Sequence, residues 1–272
     1  MGMLRFAFKG LVAVVFGAAV LVGPQRAEAI AFGDVTTERP LVARIASGGG
    51  PDFTSYATGT FISQSWMLTA AHVIGGLPAD AFIQSAFGDF SIAETRIHPL
   101  FDPLDLTLGY DIALIRVASP LPGGLVYPTL ALDDPGDLID VETVFLGYGL
   151  TEGGDDTGDK RQATAAIQFD FPEAFGFYSD LFGGAPYVRP GDSGGPAFAT
   201  LAGLESIIGV ASYSIFFGDF AASGFSPLAP ARAFIEAALK EEIAAVPEPA
   251  GLALAGFAAL FVLRNRALRH RA

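Results

Sequence analysis

The sequence has no cysteine, three histidines and one tryptophan among 272 residues, and only 17% of its side chains are charged. The missing cysteine excludes disulfides, thiolate metal sites and thiol nucleophiles together. Scarce charge with 33 glycines and 18 prolines excludes a coiled coil or helical bundle, which would be rich in Ala, Glu, Lys and Leu. Basic residues number 16 against 29 acidic ones, so the chain lacks the basic face that nucleic acid requires. Disorder is excluded too, because 51% of the residues are apolar. The length fits one large or two small domains.

Much of the apolar content lies at the ends. Arg5 and Lys9 precede the apolar run Leu11–Val22, and Ala27-Glu28-Ala29 follows. A charged start, a short apolar run and an A-x-A site read as a secretory signal peptide over 1–29. The alternative is an uncleaved anchor, for which the run is shorter than the ~20 residues of a span. At the other end, Val246-Pro247-Glu248-Pro249 leads into apolar Ala250–Leu263 and then Arg264, Arg266, Arg269 and Arg271. Basic residues after an apolar stretch stay on the cytoplasmic side, which leaves the preceding chain outside. The segment Ile30–Val246 holds nine basic and 27 acidic side chains, a net of −18, so its surface is strongly acidic.

Between the ends, short apolar runs alternate with Gly, Pro and Asp. Leu41–Ala46, Ala57–Ile62, Trp66–Leu68, Ile112–Val117, Val144–Leu146, Ala165–Phe169, Pro196–Ala199 and Ile207–Ser212 are examples. Regular short strands with turn signals predict an antiparallel barrel or sandwich. Pro230–Ile243 instead has helical spacing, with Phe234, Ile235, Ala238, Leu239 and Ile243 on one face. No fixed-period repeat is visible. The acidic stretch 152–159 (EGGDDTGD) reads as a solvated loop; its carboxylates also suit calcium, although the spacing matches no defined calcium loop.

The strongest chemical signal is Gly191-Asp192-Ser193-Gly194-Gly195-Pro196. A serine between glycines on a tight turn leaves backbone N–H groups free to converge on an oxyanion. Such a serine needs a base, and His270 lies in the basic tail, leaving His72 in Thr69-Ala70-Ala71-His72 and His98 in Ile97-His98-Pro99. The orienting carboxylate is expected where Asp meets a buried run, as in Asp111-Ile112-Ala113-Leu114, whereas Asp102 and Asp105 lie in loop. The order His, Asp, Ser also excludes an α/β-hydrolase, which needs its histidine after the serine.

With TAAH, DIAL and GDSGGP in this order, the chain resembles trypsin/chymotrypsin-type serine proteases over nearly all of Ile30–Ile243. Gly59-Thr60-Phe61-Ile62-Ser63, Trp66, Gly147-Tyr148-Gly149 and Gly209-Val210-Ala211-Ser212-Tyr213-Ser214 extend the likeness. In that family the histidine of Ile97-His98-Pro99 is not catalytic. The resemblance implies an all-β fold of two antiparallel six-stranded Greek-key barrels with a C-terminal helix, spanning 30–245. It implies a serine endopeptidase without metal or cofactor, acting on peptide or protein substrates. Ser193 is then the nucleophile, His72 the base and Asp111 its orienting group, with the N–H groups of Gly191 and Ser193 as the oxyanion hole. A catalytically silent matrix or adhesion protein on the same fold is the alternative.

The layout of 246–272 resembles the PEP-CTERM sorting tail of certain Gram-negative bacteria. That likeness implies recognition by an exosortase-type enzyme, at least transient membrane contact, and delivery to the cell surface, outer envelope or matrix. Two further expectations follow from the protease resemblance. Signal peptidase cleavage after Ala29 would expose Ile30, whose amine would pair with Asp192; cleavage after Ala31 is a competing reading. The primary substrate pocket would be built from Tyr187, Ser212, Ser214 and Gly224. No acid stands at its floor, so a preference for Arg or Lys is not implied.

Overall fold

A computed structural model of the chain describes residues 30–48, 54–151, 153–154 and 158–245. The signal and tail segments, and half of the acidic loop, lie outside the described residues. In chain order the strands are β1 (Asp34–Val35), β2 (Val42–Ser47), β3 (Thr54–Phe61), β4 (Trp66–Thr69), β5 (Phe82–Ser85), β6 (Gly88–Ile97), β7 (Ala113–Val117) and β8 (Thr129–Leu130). They continue with β9 (Glu142–Gly147), β10 (Arg161–Ala166), β11 (Phe169–Phe171), β12 (Ala174–Asp180), β13 (Pro196–Leu201), β14 (Leu204–Phe217) and β15 (Phe220–Pro227). Two helices complete the order, α1 (Ala71–Gly75) and α2 (Arg232–Ala245). Among the described residues no helix is long and apolar enough to cross a membrane.

The first body is a closed barrel in the order β2-β3-β4-β7-β6-β5. Burial alternates along β6, as a pleated strand with one face inward requires. All of β4 is buried: Met67 and Leu68 belong to the core, and Arg96 and Arg116 lie over the Trp66 ring.

The second body is a nine-stranded sheet running β1-β10-β9-β13-β14-β15-β12-β11, with β8 added beside β14. Its three short strands, β1, β8 and β11, are additions to six long ones. Those six repeat five of the six pairings of the first barrel when β9, β10, β12, β13, β14 and β15 are matched to β2 through β7. The missing pairing is β10 with β12, where β11 intervenes. The two bodies thus share one strand plan, which no residue-level repeat announces.

The second core is aromatic. Phe175 stacks on Phe225 at 5.5 Å, and Phe145 meets Phe177 at 4.9 Å and Phe225 at 6.0 Å. Fully burying one such ring stabilises by about 1.5–3 kcal/mol, so two rings match the 2–5 kcal/mol that a native disulfide typically contributes. A cysteine-free sheet can therefore be held together by packing.

Helix α2 begins two residues after the predicted Pro230, behind a 3-10 turn at Ala229–Ala231. Ile235 and Ala238 are fully buried, but Ile243 is 74% exposed rather than on the packed face. The last turn has run past the body it packs against.

Candidate active site

Strands β4 and β7 pair with Thr69 opposite Ala113. His72 lies three residues beyond the first and Asp111 two before the second, so the barrel's register brings them together. His72 N–H donates to Asp111 Oδ1 at 2.8 Å, and His72 Nδ1 lies 2.7 Å from Asp111 Oδ2. Asp111 is 1% exposed, whereas the His72 side chain keeps 28% of its surface open. A buried carboxylate on Nδ1 fixes the tautomer that leaves Nε2 free to accept a proton.

The third hydrogen bond to Asp111 comes from β14. The pairing with β15 shifts between Ala211 and Tyr213, leaving Ser212 as the bulged residue. A bulge re-aims its side chain, and the Ser212 hydroxyl donates to Asp111 Oδ2 at 2.5 Å. Ser212 belongs among the expected pocket residues, yet its hydroxyl is spent on the carboxylate.

Ser193 is held between the two bodies. Thr58 N–H donates to Ser193 O at 2.9 Å, and Gly194 N–H to Ala211 O at 2.8 Å. Gly194 has φ +79°, and a Cβ there would come within 2.5 Å of Thr58 O and 2.7 Å of Ala70 N. The turn carrying Ser193 therefore abuts the segment that leads to His72. No hydrogen bond joins Ser193 Oγ to His72 Nε2 among the described residues, as is common in sites without substrate.

Nearly every backbone polar group from Val188 to Gly195 is used. The carbonyls of Val188, Arg189, Pro190, Gly191, Asp192 and Ser193 each accept a hydrogen bond. The N–H groups of Val188, Arg189, Asp192, Gly194 and Gly195 each donate one. Among the described residues the N–H groups of Gly191 and Ser193 have no acceptor. Two unpartnered donors flank the serine in a loop otherwise satisfied, which is the arrangement a developing oxyanion needs.

Asp192 is fully buried, with Oδ1 accepting from Gly149 N–H and Oδ2 from Arg189 N–H, both at 2.8 Å. Burial pushes its carboxyl up to about 7, against the two N–H donors and the nearby Arg189 charge. Ile30 is buried in the second core, and Ala31 bridges Tyr187 in antiparallel fashion. With residue 29 attached, the Ile30 nitrogen is a peptide nitrogen and carries no charge; among the described residues it makes no hydrogen bond or ion pair with Asp192.

The pocket residues divide. Ser214 pairs with Ser223 across β14 and β15, and Tyr213 pairs with Gly224. Cross-strand partners share a face, so Gly224 turns away from Ser214 and lies under the Tyr213 ring, where a Cβ would come within 2.6 Å of Cε1. Ser223, not Gly224, stands beside Ser214. Both hydroxyls hold Val188: Ser214 donates to its carbonyl at 2.7 Å, and Ser223 accepts from its N–H at 3.0 Å. Tyr187 is 7% exposed, edge-on to Phe216, with its hydroxyl accepting from Arg189 at 3.2 Å.

His98 stacks on Tyr110 at 4.8 Å and meets Phe234 of α2 edge-on, far from solvent, and burial pushes its pKa down. It serves packing. Asp102 and Asp105 accept from the N–H groups of Leu104 and Thr107 within their own loop. Sequence reasoning missed the role of Ser223, hidden by the bulge, and that of Thr58, hidden in an apolar strand. Among the described residues there is no cluster of His, Asp and Glu suited to a metal ion.

Comparison with known proteins adds the lineage. The Trypsin family profile matches residues 33–227. Chymotrypsin-like elastase family member 1 of Canis lupus familiaris is 25% identical over 181 residues, covering 57% of this chain and 69% of that protein. Its counterpart in Macaca fascicularis is 24% identical over 182 residues, covering 57% and 66%. Serine protease 56 of Homo sapiens is 29% identical over 140 residues, covering 47% of this chain but 22% of its own length. The matched region thus spans about two thirds of the elastases and about a fifth of serine protease 56.

Proposed function

The chain belongs to the trypsin family, and we propose that it is an exported serine endopeptidase working through His72, Asp111 and Ser193. The observation that carries the reading is the pair of unpartnered N–H groups at Gly191 and Ser193. Both residues are half-buried, so in a turn whose other polar groups are nearly all paired these two donors stay open to a bound carbonyl oxygen. The His72–Asp111 pair at 2.7 Å supports the same reading.

The chemistry proceeds in two halves. Ser193 Oγ attacks the scissile carbonyl carbon while His72 Nε2 takes its proton. The carbonyl oxygen becomes an oxyanion facing the two N–H groups, and Asp111 stabilises the imidazolium. The C–N bond then breaks, His72 returns the proton to the leaving amine, and an acyl-enzyme remains. Water repeats the attack, giving its proton to His72, and Ser193 leaves as the alcohol.

Export through residues 1–29 and sorting through 246–272 belong to the same proposal, with signal peptidase and an exosortase-type enzyme as processing partners. The exposed amine of Ile30 would then complete the surroundings of Asp192. Labelling with a fluorophosphonate probe tests the catalytic part: the protein labels and its Ser193→Ala variant does not. Absence of Ser193-dependent labelling in correctly processed protein would leave the silent matrix protein as the better reading. Mass spectrometry of the mature chain tests the processing part, with Ile30 as the expected first residue.

A further inference from the structure

Three consecutive N–H groups in Tyr148-Gly149-Leu150 brace the oxyanion loop, two of them directly and the first through Thr58. Tyr148 N–H donates to Thr58 Oγ1 at 2.9 Å, Gly149 N–H to Asp192 Oδ1 at 2.8 Å, and Leu150 N–H to Pro190 O at 2.7 Å. The last of these orients the Gly191 donor, because in a trans peptide the N–H points opposite the carbonyl of the same unit. Gly191 itself has φ +96°, and a Cβ there would lie 2.7 Å from Gly149 Cα. A glycine this free to rotate needs its next peptide unit fixed as well.

Thr58 supplies that fixation. Its hydroxyl donates to Gly191 O at 2.8 Å while accepting from Tyr148 N–H. Its own N–H holds Ser193 O, and its carbonyl accepts from Thr69 Oγ1 at 2.8 Å, three residues before His72. Every polar group of this fully buried residue is engaged, and each partner belongs to a segment that carries or supports the site.

We propose that the Thr58 hydroxyl is a positioning residue for the oxyanion site: it locks the Gly191–Asp192 peptide unit, and through Tyr148 the segment that braces it. The inference rests on the serine protease reading above. It assigns to one side chain of the first barrel the alignment of a donor in the second body, in a protein with no disulfide to hold that loop.

Thr58→Val keeps the shape and removes both hydroxyl bonds, whereas Thr58→Ser keeps the hydroxyl. Outright removal of an oxyanion donor costs about 10²–10³-fold in kcat, so misaligning one should cost about 10–100-fold. The assay measures kcat and KM on a peptide amide, inhibition by a matched peptide boronate, and binding of the corresponding product peptide. Rates are taken per active site, titrated to completion with a fluorophosphonate. We expect Thr58→Val to lose kcat and boronate affinity together, with KM and product binding nearly unchanged, and Thr58→Ser to recover most of both. If Thr58→Val does not fold, Thr58→Ala is measured in the same way. Unchanged kcat in the folded variant, or a loss carried by KM and product binding alone, overturns the inference while leaving the protease reading intact. Absence of Ser193-dependent labelling in the unsubstituted protein overturns the reading itself.

Discussion

The proposed pairing of a freed Ile30 ammonium with the buried Asp192 carboxyl has a consequence for stability against pH. With a residue attached before Ile30, the carboxyl has two N–H donors and is pushed by burial from its ordinary 3.8 to about 7. At 1.36 kcal/mol per pH unit, this costs the folded state about 4 kcal/mol at neutral pH. The sign follows from proton counts: below pH 3.8 both states hold the proton and the effect vanishes. Between 3.8 and 7 the unfolded chain is ionised and the folded one is not, so stability falls as pH rises. A free ammonium favours the carboxylate instead, and breaking such a buried pair from one side costs about 3–5 kcal/mol. The decline should then disappear or reverse. The assay is urea denaturation from pH 5 to 7.5 of two chains in a Ser193→Ala background, each measured with Asp192 intact and with Asp192→Asn. One has a short polar leader in place of residues 1–29, and the other begins at Ile30. The stability difference between Asp192 and Asp192→Asn should drop by about 3 kcal/mol over this range with the leader, and stay level or rise without it. The same slope in both chains would refute the pairing of Ile30 with Asp192.

Other consequences follow from the site. Asp111→Asn leaves His72 in the wrong tautomer and should lower kcat about 10⁴-fold, while Ser212→Ala removes one bond to the carboxylate and should lower it about 10-fold with little change in KM; steady-state kinetics per titrated site checks both. Ser214 and Ser223 are both bound to Val188 and Tyr187 is nearly buried, so we expect a primary pocket formed by these residues to be closed to large side chains. A peptide-library digest should show cleavage after Gly, Ala or Ser, and a dominant preference for Lys, Arg or Phe would contradict this closed pocket. Gly147→Ala drives a Cβ into the Asp192 carboxylate, so thermal denaturation should reveal a loss of at least about 1–3 kcal/mol, the range for overpacking a filled site.

The parts of the site visible in the sequence are those built by local turn chemistry. Gly191 and Gly194 both adopt positive φ and both meet backbone where a Cβ would go, so GDSGGP announces its own geometry. TAAH and DIAL are legible for a related reason, since each joins a polar residue to a buried strand whose register then does the rest. What stays hidden depends on pairing between distant strands. The bulge at Ser212 moves that hydroxyl to Asp111 and shifts every later pairing on β15 by one, so Ser214 faces Ser223 where an unbroken register would set Ala222. Counting residues back from a motif cannot detect such a shift. The strand plan shared by the two bodies is hidden likewise, because it consists of pairings rather than residues. Thr58 is the sharpest case: as a β-branched residue in a buried strand it looks like ordinary core, and its alternation along β3 gives no hint of a partner. Only the approach of the second body turns its hydroxyl into a contact with Gly191. In a chain without cysteine, the fixed geometry of a catalytic loop has to come from such hydrogen bonds across the two bodies. Residues of that kind should therefore be sought among the buried Ser and Thr of strands, where pattern reading assigns them nothing to do.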